Sequence, residues 1–270
     1  MNLTKIIFLS INHFLSEWFT FDPQMFLMGR NIIFLDEVDS TNNYAKQLVS
    51  DGAANGTVVL AHFQTRGKGQ PGNFWESEAG KNLLTSIILH PGFLEAGKQF
   101  LISKIVSLSL VDLLTPEVND VSIKWPNDLY IGNRKVAGIL IENSIKGSTL
   151  DSSIIGIGLN LNQLVFHSKA PNPVSLQQLN GKIYDAQEML KGFFQYFEKW
   201  YRLLEAGKFQ QIDKAYLGKL FGFNQWRNFR KDNETFEARI FGIGEFGQLQ
   251  LEDRSGKITE YMFKEVEYIF

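Results

Sequence analysis

The apolar and polar positions along the chain change period several times. NIIFLDEV (31–38), TVVLAHFQ (57–64), NLLTSIILH (82–90), RKVAGILIENSI (134–145) and SSIIGIGLNLN (152–162) are rich in β-branched and aliphatic residues and predict strands. Between the first two, Ser40-Thr41-Asn42-Asn43 offers N-cap chemistry for a helix through YAKQLVS, which Asp51-Gly52 ends. KQFLISKIVSLSLVDLL (98–114) places apolar side chains at helical spacing. VSIKW then resumes strand character until Pro126 interrupts it, and Gly132-Asn133 reads as a hairpin turn. Beyond the loop HSKAPNPVS, Asp185 and Glu188 make a capping-box-like start, and Met189, Phe193, Phe197, Trp200 and Leu204 recur with helical period until Gly207. From about Phe221, FEARIFGI, GQLQLED and KITEYMF alternate between turns GEFG and DRSG. This predicts a β module of about fifty residues, folded as a compact barrel.

The stretch IKWPNDLYIGNRKVAGILIE (123–142) breaks the pattern of a buried strand, because polar groups taken out of water need partners. It reads either as a hairpin with Lys135 at the surface or as the lining of a site. Lys135 stands directly before the apolar run VAGILI, and Gly138 leaves room for something to lie close to the backbone. Gly156 and Gly158 repeat that feature inside a strand, where the alternative is a bulge.

Composition narrows the classes. The 270 residues are 44% hydrophobic and 21% charged, as in ordinary folded proteins, and suffice for a main domain plus a small one. A net charge of -2 provides no general attraction to nucleic acid, so an anion site must be built locally. The absence of Cys excludes disulfides, thiolate nucleophiles and Cys-based zinc sites, and makes the cytoplasm the default compartment. The apolar run of residues 1–28 is interrupted by Asn12, His13, Ser16 and Glu17 before it could span a bilayer, and no small-residue cleavage site follows it. It reads as a packed extension, or as non-native sequence ahead of a start at Met25 or Met28.

Familiar catalytic signatures fail. Gly67-Lys68-Gly69-Gln70-Pro71-Gly72 matches G-x-G-x-x-G after a strand, yet no helix opens behind it to receive a pyrophosphate. Gly80-Lys81 is no Walker A motif, G-x-S-x-G is missing, and His13, His62, His90 and His167 lack metal-ligand spacing. What remains is a glycine-rich loop with Arg66 and Lys68, which reads as an anion cradle or as a solvated turn, with Trp75 beside it as a surface for stacking a base.

Taken in order, DEVDSTNNYA (36–45), FQTRGKGQPGNFW (63–75), KNLLTSIIL (81–89), KWPNDLYIGNRKVAGILIE (124–142), IIGIGLNLN (154–162) and the C-terminal β module resemble the biotin protein ligases, also called biotin-[acetyl-CoA-carboxylase] ligases. The resemblance covers about residues 31–270. It implies an α+β fold of the class II aminoacyl-tRNA synthetase and biotin ligase type: a mixed sheet backed by helices (31–220) and an SH3-like barrel (221–270). It implies two steps, formation of biotinyl-5′-adenylate from biotin and MgATP, then attack by a lysine of a biotin carboxyl carrier domain. Such chemistry needs positioned cations and backbone amides rather than a protein nucleophile.

By matching motif, Ser40, Thr41 and Gln64 resemble the groups that hold the biotin ureido ring, and Gly138, Gly156 and Gly158 those lining its pocket. Gly67 and Lys68 match the loop that closes over biotin and adenylate, and Trp75 the aromatic beside adenine. Asn127 and Asp128 match the nucleotide and magnesium side, Asn160 a further adenylate contact, and Lys135 the catalytic lysine. The family loop usually reads G-R-G with further arginines, whereas here Lys68, Gln70 and Pro71 stand in it. A lysine gives a point charge where arginine gives a rigid fork, so weaker retention of the adenylate is expected unless Arg66 substitutes. Residues 1–30 carry no basic recognition helix, so the monofunctional type without DNA binding is expected. No membrane association is expected, and a homodimer is left open. A lipoate or octanoate ligase on the same fold and a catalytically degenerate biotin-binding module are the alternatives.

Overall fold

The computed structural model describes Gly29, residues 31–167 and residues 172–269, so the N-terminal stretch 1–28 and the middle of the double-proline loop lie outside the described residues. The elements are β1 Asn31–Val38, α1 Thr41–Ser50, β2 Thr57–Gln64, β3 Asn82–Leu89, α2 Phe100–Leu114, β4 Val121–Lys124, β5 Asp128–Ile131, β6 Arg134–Lys146 and β7 Thr149–Asn160. There follow α3 Leu176–Asn180, α4 Ala186–Glu205, α5 Phe209–Leu217, β8 Trp226–Lys231, β9 Glu234–Ile243, β10 Leu249–Glu252, β11 Ile258–Tyr261 and β12 Glu267–Tyr268.

Strands β1 to β7 form one sheet in the order β1-β2-β3-β7-β6-β5-β4, parallel between β1 and β2 and antiparallel elsewhere, which is the mixed sheet expected. Its two faces differ. One packs against α2 and α4, whose Ile102, Ile105, Val106, Phe193 and Phe197 are fully buried with Ile87, Ile155 and Ile157 of the strands. On the other, α1 covers only a small cluster of Ala45, Val59, Ile88 and Ile154. The remainder of that second face carries the polar residues.

Residues 226–268 form a five-stranded antiparallel sheet in the order β11-β10-β9-β8-β12, the C-terminal β module. It docks on the first unit through Trp125, whose buried indole N–H donates to the Gly247 carbonyl at 2.8 Å. Phe263 adds ring contacts to Trp125 and Phe100 at 5.3 and 6.1 Å. Helices α3 and α5 and strands β8 and β12 are additions to the sequence reading. Ser175 caps α3 through a reciprocal capping box with Gln178. Among the described residues no helix is long and apolar enough to cross a membrane.

Candidate active site

Strand alternation builds the floor of the site. In β7, Ile155, Ile157 and Leu159 enter the main core, so Gly156 and Gly158 point to the opposite face. Register extends that row: Leu84, Gly158, Gly138 and Asp128 are successive cross-strand partners, and Ser86, Gly156 and Leu140 form the row beside it. Above these small residues lies a cavity of about 500 Å³, walled by the start of α1 and by the glycine-rich loop.

Lys135 reaches this face because β6 contains a bulge. Ala137 pairs with Leu129 but Lys135 pairs with Tyr130, leaving Val136 as an extra residue. Val136 and Ala137 both enter the core, and the alternation therefore restarts with Lys135 on the same side as Gly138. The backbone is pinned on either side, since Lys135 N donates to the Asn172 carbonyl and Val174 N to the Lys135 carbonyl, each at 2.9 Å. Its ammonium lies 2.7 Å from Asp128 Oδ1 and 5.7 Å from the centre of the Trp75 ring. Asn127 is fixed to β6 twice: its side-chain amide donates to the Ile139 carbonyl at 2.6 Å, and its own carbonyl accepts from Ile139 N at 2.9 Å. The Trp125–Pro126 peptide that precedes it is cis.

The first residues of α1 form the polar wall. Gln64 Oε1 accepts from Thr41 N at 2.7 Å and from the Thr41 hydroxyl at 3.1 Å. Ser86 Oγ lies 2.7 Å from both Thr41 Oγ1 and Asn42 Oδ1, while Asn42 Nδ2 donates to Glu142 at 2.8 Å. Ser40 occupies the N-cap position without a side-chain cap bond, so its buried hydroxyl is left to the cavity.

The glycine-rich loop is a tight hairpin. Trp75 N donates to the Gly67 carbonyl at 2.8 Å, and Lys68 pairs with Phe74. Its Trp75 indole lies on the strand glycines: a Cβ on Gly138 would sit 2.9 Å from the ring, and one on Gly158 would collide with it. A Cβ on Gly156 would collide with Asn42. The space predicted beside these glycines thus houses side chains of the protein itself. Trp75 Nε1 is buried and has no hydrogen-bond partner among the described residues, which leaves a donor for a bound molecule. Phe74 is 72% exposed at the rim.

Lys124 sits behind Asp128, its ammonium 5.6 Å from the ring centre of Tyr130 and 4.9 Å from that of Tyr268 in the C-terminal module. Burial pulls its pKa below the ordinary lysine value, Asp128 opposes this, and Lys135 adds to it.

Among the residues expected from sequence, Ser40, Thr41, Gln64, Lys68 and Trp75 line the cavity, as do Asn127, Asp128, Lys135, Gly138, Gly156 and Gly158. Gly67 and Asn160 do not: Gly67 is buried under the Trp75 backbone, and the Asn160 amide is turned to the Val174 carbonyl at 3.1 Å. Arg66 is exposed and outside the lining, so it does not stand in for a loop arginine at the cavity wall. Sequence reading missed Asn42, Ser86 and Glu142. Ser86 carried a signal, a polar residue in the middle of the fully buried strand NLLTSIIL.

Residues 34–160 match the Biotin/lipoate A/B protein ligase family. The chain is 31% identical over 234 residues to the bifunctional ligase/repressor BirA of Bacillus spizizenii, covering 85% of this chain and 72% of that protein. It is 30% identical over 229 residues to the biotin--[acetyl-CoA-carboxylase] ligase of Paracoccus denitrificans, covering 83% of this chain and 95% of the relative. Among solved structures, the biotin protein ligase from Aquifex aeolicus in complex with biotin and ATP superposes with a TM-score of 0.74 at 26% identity, over 89% of this chain and 100% of that one. With a relative of this identity matched over nearly its whole length, and the same overall fold, the chain belongs to the biotin protein ligase family.

Proposed function

We propose that this chain activates biotin with ATP and transfers it to a lysine of a biotin carboxyl carrier domain. The observation that carries the reading is Lys135, turned by a bulge onto the floor of a cavity whose lining combines glycines, neutral polar groups and the Trp75 ring with Asp128 and the loop's Lys68. In the first step a biotin carboxylate oxygen attacks the α-phosphorus of ATP and the bond to pyrophosphate breaks. Two anions must meet, and Lys135 supplies a fixed cation between them; preorganised charge of this kind provides much of the rate enhancement in many enzymes. In the second step the acceptor amine attacks the acyl carbon, AMP leaves and the amine loses a proton. Nothing in either step asks the protein for a nucleophile.

Ser40, Thr41 and Gln64 have the donors and acceptors to hold the ureido ring, and Trp75 provides a flat apolar surface for adenine. Lys68 is placed on the loop to meet the phosphate. A magnesium ion would be carried mainly by the nucleotide phosphates, with Asp128 as a single protein carboxylate, because no cluster of three metal-ligating side chains exists among the described residues. When bound, the ion would neutralise phosphate charge.

The test is ATP–pyrophosphate exchange with biotin and lipoate side by side, since the family description spans both acids. Exchange with biotin alone is the expected result. Exchange with lipoate alone, or biotin binding without exchange, would overturn the reading.

A further inference from the structure

Lys264 lies in the turn between β11 and β12 with φ +70°, in the left-handed region. The other non-glycine residues with positive φ among the described residues are Asp120, Asn172, Asn224 and Asp232, all of the types that tolerate it. A lysine there is the outlier, and such conformations persist where the surroundings enforce them. The turn is fixed at its ends: Glu265 N donates to the Met262 carbonyl at 3.1 Å, and Met262 N to the Glu265 carboxylate at 2.7 Å. Phe263, the preceding residue, packs on Trp125 and Phe100, so the root of Lys264 is anchored to the catalytic unit.

From this turn the Lys264 ammonium donates to the Pro71 carbonyl, at the tip of the glycine-rich loop. The tip is a tight turn closed by Asn73 N to the Gln70 carbonyl at 2.8 Å, with Pro71 second and Gly72 third at φ +86°. The turn's own bond uses the Gln70 carbonyl, which leaves that of Pro71 to an outside donor. The tip, Gln70 to Asn73, carries no charge, and the ammonium of the loop's Lys68 meets Glu142 at the long distance of 3.9 Å.

We propose that Lys264 is a positioning residue that straps the glycine-rich loop over the cavity from the C-terminal module. The inference rests on the reading that this loop closes over an acyl-adenylate. The strap makes closure depend on the docking of the second module, and supplies from outside a hold that the uncharged tip lacks.

Lys264→Gly removes the ammonium and relaxes the backbone, so its thermal midpoint should not fall. In the full-length protein without ligand, amide hydrogen exchange across residues 67–75 should quicken about threefold to tenfold. Release of biotinyl-adenylate should quicken by a similar factor, and Lys264→Arg should restore both. Unchanged loop exchange in Lys264→Gly, or faster exchange that Lys264→Arg does not reverse, overturns the strap. A wild-type protein that forms no adenylate would sink the proposed function instead, and the loop exchange would still decide the strap.

Discussion

The two lysines of the site are held in different ways. Lys135 sits on a strand, pinned by two backbone bonds and paired at 2.7 Å with Asp128, and both side chains are largely shielded, at 20% and 15% exposure. Lys68 sits on a hairpin loop, and its contact with Glu142 spans 3.9 Å between side chains 40% and 36% exposed. In the shielded pair the electrostatics act at low effective dielectric and the geometry exists before any ligand arrives. In the exposed pair solvent screens the attraction to little net value. The strand half is built to stabilise charge at a fixed point. The loop half is built to let go of Glu142 and follow a ligand.

Lys135→Ala should separate the halves most clearly, lowering biotin-dependent pyrophosphate exchange by about 10²- to 10³-fold. Activity within a few fold of wild type would erase the distinction. Gly158→Ala places a methyl in the Trp75 ring, forcing the indole off the floor. A destabilisation of about 1–3 kcal/mol is expected from overpacking, read from the urea midpoint, together with a change in Trp fluorescence. Unaltered stability and fluorescence would mean that the loop half does not rest on the strand half. Trp125→Phe removes the donor to the Gly247 carbonyl and should cost about 1 kcal/mol, loosening the C-terminal module while leaving the Lys135 pair in place. Lys68→Arg should slow adenylate release by less than about tenfold, because one exposed fork replaces one exposed point charge. Release no slower than wild type would remove Lys68 from retention. Glu142→Gln should alter stability by less than about 1 kcal/mol, the scale of an exposed pair.

Sequence reading served these halves unequally as well. The strands, the helix from Ala186 to Glu205 and the hairpin around Gly132 were legible because periodicity and turn residues are local signals. The polar residues of KWPND and the lone Lys135 stood out against their apolar neighbours. What Gly138 and Gly158 face was not legible: only a loop returning from Trp75 fills that space, and spacing cannot report it. WRNFRK escaped notice because Arg and Lys at its exposed positions hide the short alternation, and FQQIDKAYL because its apolar stripe is only two buried residues long. Lys264 and Pro71 meet across 193 positions, with no signal at either end beyond an ordinary Lys and Pro.

The single extra residue at Val136 carries a further lesson for reading relatives of this chain. A variant missing that one position would keep its Arg, Lys, Ala and Gly in nearly the same string and would still align well. With it gone, the lysine would stand two places from the glycine and plain alternation would keep it on the cavity face, whereas a relative that kept the three-place interval but paired without the bulge would turn its lysine into the main core. The interval from glycine to lysine, taken together with the bulge, thus marks where the ammonium points more sharply than the presence of the lysine itself.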